Sequence, residues 1–84
     1  MNVFYSPKFL RSFEKLSREI QDELRHREGV FRENQFDPRL KTHKLRGRKE
    51  WSFIITYKIR VIFIFGKDHI LFVNIGDHSI YRKK

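Results

Sequence analysis

The 84-residue chain contains no cysteine. Disulfides and thiolate nucleophiles are therefore excluded, and so are zinc sites built on thiolates. No run reaches the roughly 18 to 20 apolar residues that a membrane-spanning helix needs. The start, Met1-Asn2-Val3-Phe4-Tyr5-Ser6-Pro7-Lys8, lacks the basic-then-apolar order of a secretory signal. A cytoplasmic protein with no membrane contact is expected. His26, His43, His69 and His78 are scattered, without a His-x-x-x-His pair, and Asp37, Asp68 and Asp77 are isolated. No metal and no other cofactor is expected. Internal repeats and low-complexity tracts are absent as well. Acidic residues are scarce, ten Asp and Glu against nineteen Lys and Arg, which leaves a formal charge of +9. Such a balance calls for an acidic partner: nucleic acid, an anionic membrane face or an acidic protein.

What the chain does have is an apolar fraction of 39% with nine Phe, enough for one globular core. At this length folding buries about 60% of the unfolded surface, so residues 1–84 form a single domain. Val3-Phe4-Tyr5 reads as a short strand. Ser6 followed by Pro7 is a helix start, a capping hydroxyl and then a residue whose missing N–H costs nothing at the first helical position. Phe9, Leu10, Phe13 and Leu16 make one apolar stripe on this first helix. Ser17 caps a second helix, with Glu19, Asp22 and Glu23 early and Arg25, His26 and Arg27 later, the order the helix dipole favours. Ile20, Leu24 and Phe31 mark its buried side. Gly29 weakens it by about 1 kcal/mol relative to Ala, and it frays there or continues to about Glu33.

Asn34 to Pro38 is a loop by its turn chemistry. Beyond it, Trp51–Thr56, Arg60–Phe65 and Ile70–Ile75 are dense in β-branched and aromatic residues and read as three strands. Gly66-Lys67-Asp68-His69 supplies a hairpin turn. The break at Tyr57-Lys58-Ile59 has no Gly, Pro or Asn, and rests on the improbability of an unbroken 15-residue strand from Trp51 to Phe65. The order strand, helix, helix, three strands predicts an α+β fold, with two helices packed on a twisted antiparallel sheet of about four strands.

The candidate chemistry lies in the basic half. Lys41 to Lys49 carries five Lys or Arg in nine residues. Two readings stand: a solvated basic loop, or a run whose Lys44, Arg46, Arg48 and Lys49 contact phosphates. Trp51 is either a core residue or a platform for a base. Arg60 precedes five apolar residues, so its charge needs either an anion such as phosphate or an internal salt bridge to Glu50, Asp68 or Asp77. His78 and Tyr81 follow the last strand, three residues apart, and Arg82 comes next. His78 and Tyr81 are exposed structural residues or a proton-transfer pair, and Arg82 is a candidate RNA contact. RNA cleavage without a metal asks for a base, an acid and cations around the phosphorane, and His43, Arg60, His78 and Tyr81 with the basic run supply that set.

Five segments carry a family likeness: Ser6-Pro7-Lys8-Phe9, the stretch Phe36 to Gly47, Trp51-Ser52-Phe53, Arg60-Val61-Ile62-Phe63, and Ile75 to Arg82. Their order and spacing resemble the RelE/ParE superfamily of bacterial toxins, and within it the RelE/YafQ-type messenger-RNA interferases. The resemblance implies a microbial-RNase-like fold and cleavage of mRNA in the ribosomal A site. It also implies a free monomer held in check, as a hetero-oligomer, by a cognate antitoxin. By the same resemblance His43 matches the first catalytic His of the YafQ branch and His78 its C-terminal catalytic His, Arg60 the Arg on the scissile phosphate, and Tyr81 the C-terminal Tyr of RelE. Arg46, Arg48 and Lys49 lie where RelE has catalytic lysines. The chain departs from the YafQ branch near Ile54 and Lys58, where that branch places another His and an Asp. The expected function is thus a type II toxin that is a metal-independent, ribosome-dependent endoribonuclease. The alternatives are a ParE-like poison of DNA gyrase, which needs no proton-transfer groups, and an inactive binding module on the same fold.

Overall fold

The computed structural model describes residues 2–81. The elements run β1 (Asn2–Tyr5), α1 (Pro7–Glu14), α2 (Arg18–Glu33), a first 3-10 turn (Pro38–Leu40), β2 (His43–Lys44), β3 (Trp51–Ile54), β4 (Arg60–Phe65), β5 (His69–Gly76) and a second 3-10 turn (His78–Tyr81). The five strands form one sheet in the order β1-β5-β4-β3-β2. The expectation of about four antiparallel strands therefore needs correction twice. β1 joins β5 in parallel, with Asn2 opposite His69 and Tyr5 opposite Phe72, because the two helices between them carry the chain back across the sheet. The fifth strand is β2, a two-residue piece of the basic run. It pairs with β3 because the turn Leu45–Arg48 folds the chain back, closed by Arg48 N to Leu45 O at 3.2 Å. Gly47 sits in that turn at φ +70, the left-handed region that favours glycine.

Both helix starts form as the sequence predicts. Ser6 Oγ accepts from Phe9 N at 3.0 Å and donates to Val73 O at 2.7 Å, so one hydroxyl caps α1 and ties it to β5. Ser17 Oγ accepts from Ile20 N, and α2 continues through Gly29 to Glu33. Against expectation Leu10 is 47% exposed, because one step along a helix turns a side chain about 100° away from Phe9. The break between β3 and β4 is made by Thr56, whose hydroxyl accepts from Lys58 N and Ile59 N at 3.2 and 3.1 Å. A threonine hydroxyl thus does what Gly or Asn does in other turns. It ends β3 at Ile54, two residues before the predicted end.

The core lies between the helices and one sheet face. Phe31 of α2 is fully buried, stacked on Phe53 at 4.6 Å between centroids and edge-on to Phe63 and Phe72 at 5.0 and 5.6 Å. Phe9 packs on Phe72, and Leu24, Leu40, Ile55, Val61, Ile70 and Ile75 complete the cluster. Trp51 is half-buried against this core and edge-on to Phe36 and Phe65, so of its two readings the packing one describes its place.

Asp37 caps the first 3-10 turn, accepting from Arg39 N and from the Arg39 guanidinium at 2.9 to 3.0 Å. The guanidinium, with the backbone bond, lowers its carboxyl from the ordinary 3.8 to about 2. A depressed carboxyl contributes stability that is complete above the unfolded value and is lost as pH falls through the folded one. Acid denaturation followed by circular dichroism should therefore show a component between pH 3.8 and about 2. Asp37→Asn should remove it, and an unchanged acid limb in that variant would contradict this account.

Candidate functional site

Strand alternation sends Phe53, Val61 and Phe63 toward the helices and leaves Ser52, Ile54, Arg60 and Ile62 on the opposite face. The second 3-10 turn folds back over that face. Gly76 permits the close approach: a Cβ there would stand 2.7 Å from Ile80 Cγ2. Gly76 is also the register partner of Arg60. The turn that carries His78 and the strand that carries Arg60 therefore meet on one rung of the sheet.

Between them opens a cleft of about 600 Å³ lined by Tyr57, Lys58, Arg60, Asp77, His78 and Ser79. Arg60 is half-buried. Its Nη2 donates to Tyr57 O at 3.3 Å, its guanidinium carbon lies 5.9 Å from the centre of the Tyr81 ring, and its Nε is buried with no hydrogen-bond partner. No salt bridge of Arg60 to Glu50, Asp68 or Asp77 is among those that the described residues form. Arg60 also lines the cleft, and a guanidinium with no carboxylate partner there can meet an anion. Lys58 adds a second positive charge and Ile54 pairs across the strands with Arg60, so neither is the His or the Asp that the YafQ branch places near these positions.

His78 is exposed on the cleft, its ring edge-on to Tyr81 at 5.6 Å. Tyr81 is half-buried and does not line the cleft; its hydroxyl lies 2.6 Å from Ser52 Oγ, and its ring backs Arg60. His43 stands apart from these groups on edge strand β2, opposite Ser52 in register and so on the same sheet face. Its Nδ1 lies 3.1 Å from Lys41 O. A carbonyl can only accept, so Nδ1 carries the proton and Nε2 is the basic nitrogen of the neutral ring. Lys41 makes this possible by adopting φ 51, which turns its backbone out of the preceding 3-10 turn.

Of the basic run, Lys44, Arg46 and Lys49 are exposed. Arg48 is not free: Nε donates to Glu50 at 3.1 Å and Nη1 to Tyr81 O at 3.0 Å, with 18% of its side chain exposed. Arg82, expected on the RNA path, lies outside the described residues. Ser52 was absent from the predicted site. The signal for it is a lone hydroxyl in the apolar strand Trp51–Ile54, fully buried and so in need of a partner. Among the described residues no three His, Asp or Glu side chains gather as a metal cage, and no helix is long and apolar enough to cross a membrane.

This architecture, two helices on a mixed five-stranded sheet, is shared with solved bacterial toxins. YafQ from E. coli strain BL21(DE3) superposes with a TM-score of 0.80 at 12% identity, over 98% of each chain. The YoeB/ParE toxin from Agrobacterium tumefaciens gives 0.79 at 14% identity, over 93% of this chain and 99% of that one. YafQ in the E. coli DinJ-YafQ toxin-antitoxin complex gives 0.78 at 14%, over 98% and 97%. No protein-family model matches the chain. No curated protein matches it in sequence. The fold is that of the RelE/ParE superfamily toxins, as the five sequence segments imply.

Proposed function

We propose that this chain is the toxin of a type II toxin-antitoxin pair, an endoribonuclease that cleaves mRNA on the ribosome, in the cytoplasm and without a metal. The observation that carries the reading is Arg60, a half-buried cation in no salt bridge among the described residues, which lines a cleft together with Lys58 and His78. A phosphodiester answers that charge, and the side chains around it supply the remaining parts of the reaction.

A base takes the ribose 2′-OH proton, and the 2′-oxygen bonds to phosphorus as the bond to the 5′-oxygen breaks. An acid returns a proton to that oxygen. The products are a 2′,3′-cyclic phosphate and a 5′-hydroxyl. Arg60 and Lys58 hold the non-bridging oxygens as charge builds on them. His78 exchanges a proton at the cleft as acid or base. His43 assists through Nε2 from the edge strand, and Tyr81 assists by backing the Arg60 guanidinium. Lys44, Arg46 and Lys49 guide the RNA strand along the edge next to β2. The E. coli complex of YafQ with DinJ supports a cognate antitoxin here as well. A chain of charge +9 favours an acidic or amphipathic segment that covers the basic face.

Induced in a host without the antitoxin, the wild-type protein should arrest growth and give new transcript 5′ ends in frame with codons. His78→Ala should lower cleavage by about 10²- to 10⁴-fold. A DNA-damage response without RNA fragments would place the protein with the gyrase poisons instead. Harmless expression would make it an inactive binding module.

A further inference from the structure

The turn His78–Tyr81 brings His78 to the cleft, yet its own backbone bonds are local: Ile80 N to Asp77 O at 3.1 Å and Ser79 N to the Asp77 carboxylate at 2.9 Å. Among the described residues, two long-range hydrogen bonds fasten it at its last residue. Ser52 Oγ holds the Tyr81 hydroxyl at 2.6 Å, and Arg48 Nη1 holds the Tyr81 carbonyl at 3.0 Å. Ser52 is fully buried on a central strand, so its hydroxyl has a fixed place. Arg48 is steadied by Glu50. One residue is thus gripped at both ends, phenol and carbonyl, and its ring touches the two groups that face the cleft, Arg60 and His78.

We infer that Ser52 and Arg48 are positioning residues: by clamping Tyr81 they hold the C-terminal turn so that His78 stands against Arg60. The catalytic part of this inference rests on the nuclease reading, whereas the clamp is a property of the folded chain. It changes the role of Arg48, whose guanidinium holds Glu50 and the Tyr81 carbonyl rather than standing free in the basic run. It also makes the Tyr81 hydroxyl an anchor rather than a proton donor. A group a fraction of an ångström out of place loses rate without losing substrate, so the signature is a fall in kcat with KM preserved.

The test combines Ser52→Ala, Ser52→Thr, Arg48→Ala and Tyr81→Phe, each checked for an intact fold by circular dichroism. Fluorotyrosine labelling reports the clamp by ¹⁹F NMR, with Tyr81 assigned from Tyr81→Phe. In Ser52→Ala and in Arg48→Ala the Tyr81 resonance should move toward that of Tyr57, which is 88% exposed. The His78 ring protons should lose the shift imposed by the neighbouring ring. Single-turnover cleavage by Ser52→Ala should drop about tenfold in kcat with KM within twofold, and Ser52→Thr should restore it. Ser52→Ala combined with Tyr81→Phe should be no slower than the worse single variant, because both remove one hydrogen bond. An unmoved Tyr81 resonance, additive effects, or a change confined to KM would overturn the inference. If the wild-type protein cleaves no RNA the nuclease reading falls, and the clamp is then judged on the Tyr81 and His78 resonances alone.

Discussion

Arg60→Met should abolish RNA cleavage while leaving the thermal midpoint unchanged or higher. A cation poised on the charge of the transition state is worth about 10²- to 10³-fold in rate. On the stability side the terms nearly cancel. The native guanidinium gives up a long hydrogen bond to Tyr57 O at 3.3 Å and a contact with the Tyr81 ring, the latter worth about 0.5 to 1 kcal/mol. It also carries a buried Nε with no partner, a group whose desolvation costs about 1 to 3 kcal/mol. Methionine keeps the length of the stem and removes that burden. Thermal melting beside a cleavage assay with purified ribosomes checks both halves. A variant that cleaves normally would remove Arg60 from the chemistry. One that melts well below the wild type would mean that the guanidinium serves the fold.

The sign of that stability effect reflects what the sequence could and could not disclose. An arginine at the head of Arg60–Phe65 is conspicuous because five apolar residues follow it, and none of the salt bridges among the described residues includes it. Ser6 and Pro7 announce α1 because the cap and the first helical position have local chemical requirements. The parallel pairing of β1 with β5 has no such local signature, since nothing in Val3-Phe4-Tyr5 names the strand it will join or the direction. β2 is hidden for another reason. Its two residues, His43 and Lys44, both point to exposed surroundings, so no alternation of burial marks them. Within the site the sequence indicates which groups carry charge or protons but not which are already spoken for. Arg46, Arg48 and Lys49 look alike in the basic run, and only the folded turn shows Arg48 bound to Glu50 and Tyr81. Nor does the sequence disclose that the Tyr81 hydroxyl lies 2.6 Å from Ser52 Oγ.

Phe31→Ala should be the most destabilising single change in the chain. Truncating a buried phenylalanine costs about 3 to 5 kcal/mol through lost transfer energy and the cavity left behind. Phe31 lies toward the upper end of that range. It is fully buried, and its ring meets three others, Phe53, Phe63 and Phe72, from three strands. No single neighbour can move in to fill the space without uncovering another strand. At about 0.05 to 0.15 kcal/mol per residue, a domain of 84 residues has roughly 4 to 13 kcal/mol in hand. The variant therefore loses a third of its stability at the least and is largely unfolded at the other extreme. Phe36→Ala is the control, since Phe36 is 54% exposed and should cost well under half as much. Urea denaturation of the two variants measures the difference, and equal midpoints would mean that the core is not organised around α2. The consequence reaches the cleft: β3 and β4 present Phe53 and Phe63 to Phe31 on one face and Ser52 and Arg60 to the second 3-10 turn on the other. When the aromatic face loosens, the spacing of Arg60 and His78 loosens with it. Cleavage by Phe31→Ala should consequently fail at temperatures where helical circular dichroism still persists.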